Sequence, residues 1–466
     1  MAAFFHHALK FRKEVCIGCS HCMNVCPTEA IRIKRGKAEL IDDRCIDCGK
    51  CYMVCPVGAI IVEQDDFNHI FDYEHRVALI PNVLPGQFPP GVSVAQICSV
   101  LMEMGFTHIF EVEHGARILK EAMTGAVNNK DIRGPLISTF CPAIVRLIQV
   151  RFPMFTDNLL LYKAPLDIAA MYYRQKLVDE GADPEQTGVF YITPCPAKIA
   201  AIKSPVGEAT SPITGVINMD FIYNKLYTKV KQGLSGKKCC ALPAIQSLNP
   251  DEVLWTLTDG EAANMPGRAL AIDEVNNVIE FLEKLENEEI SDIDFLELRA
   301  CDQSCAGGIL TSGNRFFTVE RLGKRAGELA NGDERVIRDT SGASIMDHAS
   351  SLRGRLKVDQ IRPRAMDKLD EDMGVAMEKM KKVQEIRKDL PNVDCGVCGS
   401  PTCNALAEDI VQGTAAIDRC IYVQKRLEQE GQMEAEESLA IMKDIWGAEK
   451  FSGSAKKTEP QDKETL

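Results

Sequence analysis

Cysteine carries the chemistry of this chain: there are 19 in 466 residues, and their spacing sorts them into groups. Two runs lie near the start. "CIGCSHCMNVCP" places Cys16, Cys19, Cys22 and Cys26 ahead of Pro27, and "CIDCGKCYMVCP" places Cys45, Cys48, Cys51 and Cys55 ahead of Pro56. Each reads C-x2-C-x2-C-x3-C-P. A third group, "DCGVCGSPTCNALAEDIVQGTAAIDRC", holds Cys395, Cys398, Cys403 and Cys420. Between them lies "ACDQSCAGG", where Cys301 and Cys305 stand ahead of Gly307 and Gly308. Soft thiolates select iron–sulfur clusters or zinc. Many cysteines suggest disulfides in an exported chain and metal in a cytosolic one; the clustering here decides for metal. The pair at 301 and 305 lacks two ligands for either kind of site.

The first two runs are those of a bacterial two-cluster ferredoxin, in which three close cysteines wrap one cubane and the fourth reaches to the other. That pairs Cys16, Cys19 and Cys22 with Cys55, and Cys45, Cys48 and Cys51 with Cys26. Two adjacent 4Fe–4S cubanes make a wire, with something at its end. In the third group, Gly396, Gly399 and Ser400 let backbone amides approach cluster sulfurs. "NALAEDIVQGTAAID" reads as a helix returning Cys420 to the site. The group resembles the small 4Fe–4S domain of some hydrogenase-like and corrinoid iron–sulfur proteins, with a zinc site as the alternative.

The elements that must position the unpaired cysteines lie in residues 75–350. "RVALI", "HIFEV", "PLIST" and "GVFYIT" read as strands; "SVAQICSVLMEMG" and "APLDIAAMYYRQKLVDEG" read as helices, the latter stopped by Gly181. Alternation of this kind implies parallel βαβ units. Cys141 follows "PLISTF" and Cys195 follows "GVFYITP", each just past the carboxyl end of a strand, where ligands gather in open α/β sheets. With Cys301 and Cys305 they complete a four-thiolate site. Cys98, Cys239 and Cys240 read as ordinary cysteines. Met373, Met377, Met380, Val383, Ile386 and Leu390 form one apolar helix face, for core packing or a partner.

The formal net charge of −13 argues against nucleic acid as the main partner. No window approaches the about 18 apolar residues of a membrane helix, and the first residues lack the pattern of a signal peptide. A cytoplasmic location is therefore expected, with a polar, disordered end over "GSAKKTEPQDKETL".

Three motifs together resemble the catalytic domain of iron-only (diiron) hydrogenases. "STFCP" at 138–142 is similar to the first motif, commonly T-S-C-C-P. "TPCPAK" at 193–198 is similar to the second, commonly M-P-C-x-x-K. "CDQSCAGG" at 301–308 is similar to the third. The resemblance implies an α/β catalytic domain of hydrogenase type over 67–360. Around it would lie a ferredoxin-like two-cluster domain over 1–66, a helical linker over 361–390, a small helical 4Fe–4S domain over 391–425 and a tail over 426–466. It implies that Cys141, Cys195, Cys301 and Cys305 bind a cubane. Cys305 would also bridge to a diiron subsite with CO, cyanide and dithiolate ligands. Lys198 would donate to a cyanide ligand, and small or rigid Ala143, Pro196, Ala197 and Gly307 would suit loops packed on a cluster.

Departures are as informative. Where the family commonly has a proton-relay thiol stands Phe140, which cannot transfer protons. Thr193 and Arg299 replace methionines, "KIAAIKSP" offers no carboxylate before Glu208, and "EHGARILKEAM" does not place the family's paired glutamates. These features resemble the sensory branch of the family. The about 45 residues after Cys420 are too few for a PAS domain, which points to a PAS-less subgroup. The expected activity is reversible H2 ⇌ 2H+ + 2e−, slow and regulatory, in a ferredoxin-type iron hydrogenase. Expected partners are H2, protons, maturation proteins, and a ferredoxin or signalling protein as redox partner. The alternative is an iron–sulfur electron-transfer or cluster-assembly protein without the diiron subsite.

Overall fold

The computed structural model describes residues 5–234, 247–331, 344–364 and 373–452; Cys239, Cys240 and the end from 453 lie outside the described residues. The chain divides into two compact units: Met1–Ala8 with Gln64–Pro363, and Leu9–Glu63 with Arg364–Leu466.

The larger unit is built on two parallel sheets. The four-stranded sheet runs His108–Glu111, His75–Ile80, Thr187–Thr193, Gly215–Asn218. All seven residues of Thr187–Thr193, "TGVFYIT", are buried. β-branched and aromatic side chains on both faces suit a central strand covered on both sides. The three-stranded sheet runs Ala269–Ile272, Phe295–Leu298, Leu136–Ile137. Helices follow the strands as the sequence pattern requires. Val94–Glu103 opens on a capping box in which Ser93 and Gln96 exchange bonds. Pro165–Asp179 starts on Pro165 and ends before Gly181, whose φ is 91°. Cys98 lies buried in the first of these helices.

The smaller unit joins the ends of the chain. Short antiparallel pairs, Leu9–Phe11 with Ile60–Val62 and Ile31–Lys34 with Lys37–Leu40, frame the first cysteine runs. Leu9, Met23, Ile31, Ile33 and Ile60 form their core. Val383, Leu390, Leu406 and Val423 form a second core around the C-terminal cysteines. Arg32, buried, donates its Nε to Asp409 Oδ2 at 2.6 Å, and Asp409 also accepts from Ser400 Oγ at 2.8 Å. The N–H of Ile33 donates to the carbonyl of Gly399 at 2.8 Å. The helix carrying Cys403 is shorter than its sequence suggested: it runs Cys403–Val411 and stops at Gly413, whose φ is 74°. A 3-10 turn at Ile417–Arg419 then delivers Cys420. The helix Met373–Asp389 buries Val383 on this core but leaves Met377 and Met380 exposed.

Among the described residues no helix is long and apolar enough to cross a membrane.

Candidate functional site

Three strand ends of the larger unit build its cysteine site. Leu136–Ile137 runs out towards Cys141, Thr187–Thr193 towards Cys195, and Phe295–Leu298 towards Cys301. The loops are tied to one another. The N–H of Ala300 donates to the Cys141 sulfur, and that of Leu310 to Pro194 O at 3.0 Å. A Cβ on Gly308 would lie 2.6 Å from Pro194 O, so the two loops touch only because this residue has no side chain. Between the paired cysteines, Gln303 and Ser304 both have positive φ, 61° and 52°. That strain at non-glycine residues is held by Gln303 N donating to Asp273 Oδ2 at 3.0 Å. Thr193 donates its hydroxyl to Cys195 O at 3.0 Å and accepts from Cys195 N at 3.3 Å, fixing that turn.

Lys198 is buried at 4% exposure, with its Nζ 3.6 Å from Cys305 Sγ and 3.5 Å from the Tyr191 hydroxyl. Burial alone would push its ammonium down. The sulfurs of Cys305, Cys195 and Cys141, with Tyr191, outweigh that and hold it up. Phe140, also buried, is approached by two cations: Lys198 Nζ is 4.6 Å and Arg299 Cζ 3.8 Å from its ring centre. Arg299 in turn meets Glu261 at 2.8 Å and Glu297 at 3.2 Å. Glu261 accepts from Ser138 Oγ at 2.7 Å, and Ser138 Oγ accepts from Phe140 N at 3.2 Å. Burial, against the pull of Arg299, pushes the Glu261 carboxyl up to about 7.

A cavity of about 100 Å³ opens beside Phe140 and Lys198. Asp167 lines it, with burial pushing its carboxyl up to about 6. So does Glu208, paired with Lys163. Asp167, Tyr191, Glu261 and Glu297 had no signal in the sequence, because no local spacing links them to a cysteine.

Glu113 sits just past the end of the strand His108–Glu111, fully buried, with Oε1 accepting from Asn82 N at 2.9 Å and Oε2 unpartnered. Burial pushes its carboxyl up from 4.5 to about 8. The fold therefore holds a proton that the unfolded chain has released. Its contribution is fullest below pH 4.5 and is lost as pH rises towards 8. Glu113→Gln should shrink the fall in denaturant midpoint between pH 5 and pH 8 in cluster-replete protein; an unchanged fall would assign it to other groups.

In the smaller unit, one cavity is lined by Cys16, Cys19, Cys22 and Cys55. Cys45, Cys48 and Cys51 each lie within electrostatic reach of Cys26. Backbone amides aim at the sulfurs with a repeat: Ala30 N to Cys26 and Ala59 N to Cys55, both 3.2 Å; Gly18 N to Cys16 and Asp47 N to Cys45, both 3.4 Å. Such N–H···S bonds tune iron–sulfur centres. A further cavity is lined by Cys395, Cys398, Cys403 and Cys420.

The sulfur spacing bears on the two metals the sequence left open. A tetrahedral zinc with Zn–S bonds of about 2.3 Å puts its sulfurs about 3.8 Å apart. Among the described residues, no three sulfurs of any quartet lie within 4.8 Å of one another. The described cysteines are also all unbridged. Burial pushes the Cys22, Cys48 and Cys195 thiols up to about 12, so a thiolate there needs a nearby cation to balance its charge.

Comparison with known proteins agrees. Residues 77–220 match the family model "Iron only hydrogenase large subunit, C-terminal domain". Residues 15–59 match a 4Fe-4S dicluster domain and 390–422 an Fe-S cluster family. The first match includes Cys141, Cys195 and Lys198; Cys301 and Cys305 lie beyond it and join the site through the loop contacts above. Among curated proteins, 39 residues are 51% identical to the corrinoid/iron-sulfur protein large subunit of Moorella thermoacetica, covering 8% of this chain and 9% of that one. A stretch of 38 residues is 50% identical to a component of the ion-translocating oxidoreductase complex of Rhodobacter capsulatus, 8% of this chain and 20% of that one. The chain thus spans at most about a fifth of these relatives' length. A FeFe-hydrogenase structure from Chlamydomonas reinhardtii is similar at 13% identity and a TM-score of 0.45, over 65% of this chain and 97% of that one. The chain thus combines a 4Fe-4S dicluster domain, a segment similar to the C-terminal domain of the iron-only hydrogenase large subunit and a C-terminal Fe-S domain.

Proposed function

We propose that the larger unit activates H2 reversibly, H2 ⇌ 2H+ + 2e−, slowly and in a sensory or regulatory role. Cys141, Cys195, Cys301 and Cys305 would hold a cubane, and Cys305 would bridge it to a diiron subsite with CO, cyanide and dithiolate ligands. Such a subsite, when bound, supplies the open iron coordination at which H2 is cleaved or formed. The observation that carries this reading is the buried Lys198 ammonium 3.6 Å from Cys305 Sγ. A cubane's thiolates would give this cation one anionic partner, and the cyanide ligands of a diiron subsite would give its remaining donors another.

The chain's own residues would do the rest. Lys198 fixes anionic ligands by charge and hydrogen bonding. Phe140 excludes water where a relay thiol would stand and passes no proton, which makes turnover slow. Asp167 and the Lys163–Glu208 pair line the neighbouring cavity, where Asp167, its carboxyl lifted by burial to about 6, could hold a proton. Electrons would enter or leave through the cubanes of residues 16–55 and 395–420, exchanging with a ferredoxin or a signalling protein. Dedicated maturation proteins would supply the diiron subsite in the cell.

H2-dependent reduction of a viologen dye tests this. Protein reconstituted with iron and sulfide and then loaded with a synthetic diiron subsite should reduce the dye under H2. The same protein before loading should not. Equal rates in both would mean that the diiron subsite has no part in the activity.

A further inference from the structure

Arg299 stands two residues before Cys301, and its position at the site is unusually constrained. Its side chain is 2% exposed. Its Nε donates to Glu297 Oε1 at 3.2 Å, and its Nη2 donates to Glu261 Oε2 at 2.8 Å and Trp255 O at 3.3 Å. Its Cζ lies 3.8 Å from the Phe140 ring centre. Both carboxylates are themselves pinned: Glu297 Oε2 accepts from the N–H groups of Glu261 and Ala262 at 2.8 and 2.9 Å. Glu261 accepts from Ser138. Only Nη1 is left, buried and without a partner. The cation lies within electrostatic reach of Cys305 and Cys141. A guanidinium cannot lose its charge, and here it cannot turn away.

We propose that Arg299 is a fixed positive charge that raises the reduction potential of the cubane held by Cys141, Cys195, Cys301 and Cys305, with Phe140 as the wedge that keeps it there. This rests on the reading that these four sulfurs hold a cubane. When one electron enters the cubane from a reduced viologen mediator, its negative charge grows by one, with no bond made or broken. A cation close by favours the reduced form, and the dry surroundings keep the interaction strong. The Glu261 and Glu297 carboxylates hold the guanidinium in place and oppose its effect. Arg299 is thus a positioning and tuning residue. It makes the site easier to reduce, which suits a centre that reports redox state.

Potentiometric titration at pH 8, followed by electron paramagnetic resonance of the reduced cubane, tests this in fully reconstituted protein. Arg299→Met should lower the ratio of reduced to oxidised cubane at a fixed solution potential about tenfold, equivalent to about 59 mV for a one-electron couple. Arg299→Lys, which keeps the charge, should recover most of that. Glu261→Gln removes a negative charge and should shift the midpoint upward, a sign that simple loosening of the loop does not give. The cubanes of residues 16–55 and 395–420 should keep their midpoints and serve as internal references. If the fourth cubane signal is missing from the unsubstituted protein, the four-cysteine site itself is misread. If the signal is present and Arg299→Met leaves its midpoint unmoved, the tuning role is wrong. Should Arg299→Met fail to fold, Arg299→Gln, which removes the charge but keeps a hydrogen-bonding side chain, decides: a lowered midpoint supports the proposal and an unmoved one overturns it.

Discussion

Cys305→Ala should abolish diiron binding outright, leaving no CO or cyanide infrared bands after loading. Three loop contacts make this position special. Cys305 N is held by Thr256 O at 3.2 Å, its turn by the strained Gln303–Ser304 pair, and its sulfur faces Lys198 Nζ at 3.6 Å. Alanine removes the sulfur that meets both the cubane space and the buried ammonium. It also leaves Lys198 without its nearest negative partner. A buried charge stripped of its partner costs about 3–5 kcal/mol, so the variant should also be less stable. The eight cysteines of residues 16–55 and the four of 395–420 lie in the other compact unit, and their clusters should persist. Iron analysis and the infrared spectrum check this together. Retained CO and cyanide bands in Cys305→Ala would remove the bridging role.

Phe140→Cys should raise H2 turnover by about two orders of magnitude, the lower end of what a positioned general acid–base group contributes. The ring is approached by Lys198 and Arg299, at 4.6 and 3.8 Å. A thiol in the same place would sit near two cations, which favours its thiolate. It would also follow Ser138, whose hydroxyl reaches Glu261, and Glu261 is a carboxyl whose burial lifts it to about 7. The substitution has a cost: removing a buried aromatic ring destabilises by about 3–5 kcal/mol. Turnover must therefore be normalised to diiron content. Unchanged turnover per diiron site would place the bottleneck beyond position 140.

The cysteine runs were legible because cluster ligands come in close spacing and the spacing is the chemistry. Cys141 and Cys195 were legible for a different reason: each ends a strand, and the strand could be read from its β-branched and aromatic residues. That these strand ends come from two separate sheets was not legible, since pairing partners leave no local pattern. The Arg299–Glu261–Ser138 network was invisible for the same reason. Position 299 could be seen to depart from the family, but not what it touches. Arg32 and Asp409 are 377 residues apart, so nothing local could join the first cysteine runs to the last group in one unit. The sequence pattern carries the helix past Val411 because it does not distinguish Gly413 from an interior glycine, whereas its φ of 74° makes it the stop. Lys198 could have been a solvated lysine by sequence; burial and the sulfurs around it decide otherwise.

The site at Cys141, Cys195, Cys301 and Cys305 should accept a diiron subsite, and the infrared spectrum of cubane-replete protein after loading with a synthetic subsite reads this out. Bands of CO and cyanide should survive desalting, shift when Lys198 is replaced by methionine, and vanish in Cys305→Ala. A well-folded protein with all its cubanes and no such bands would contradict it, and would leave an iron–sulfur electron carrier in its place.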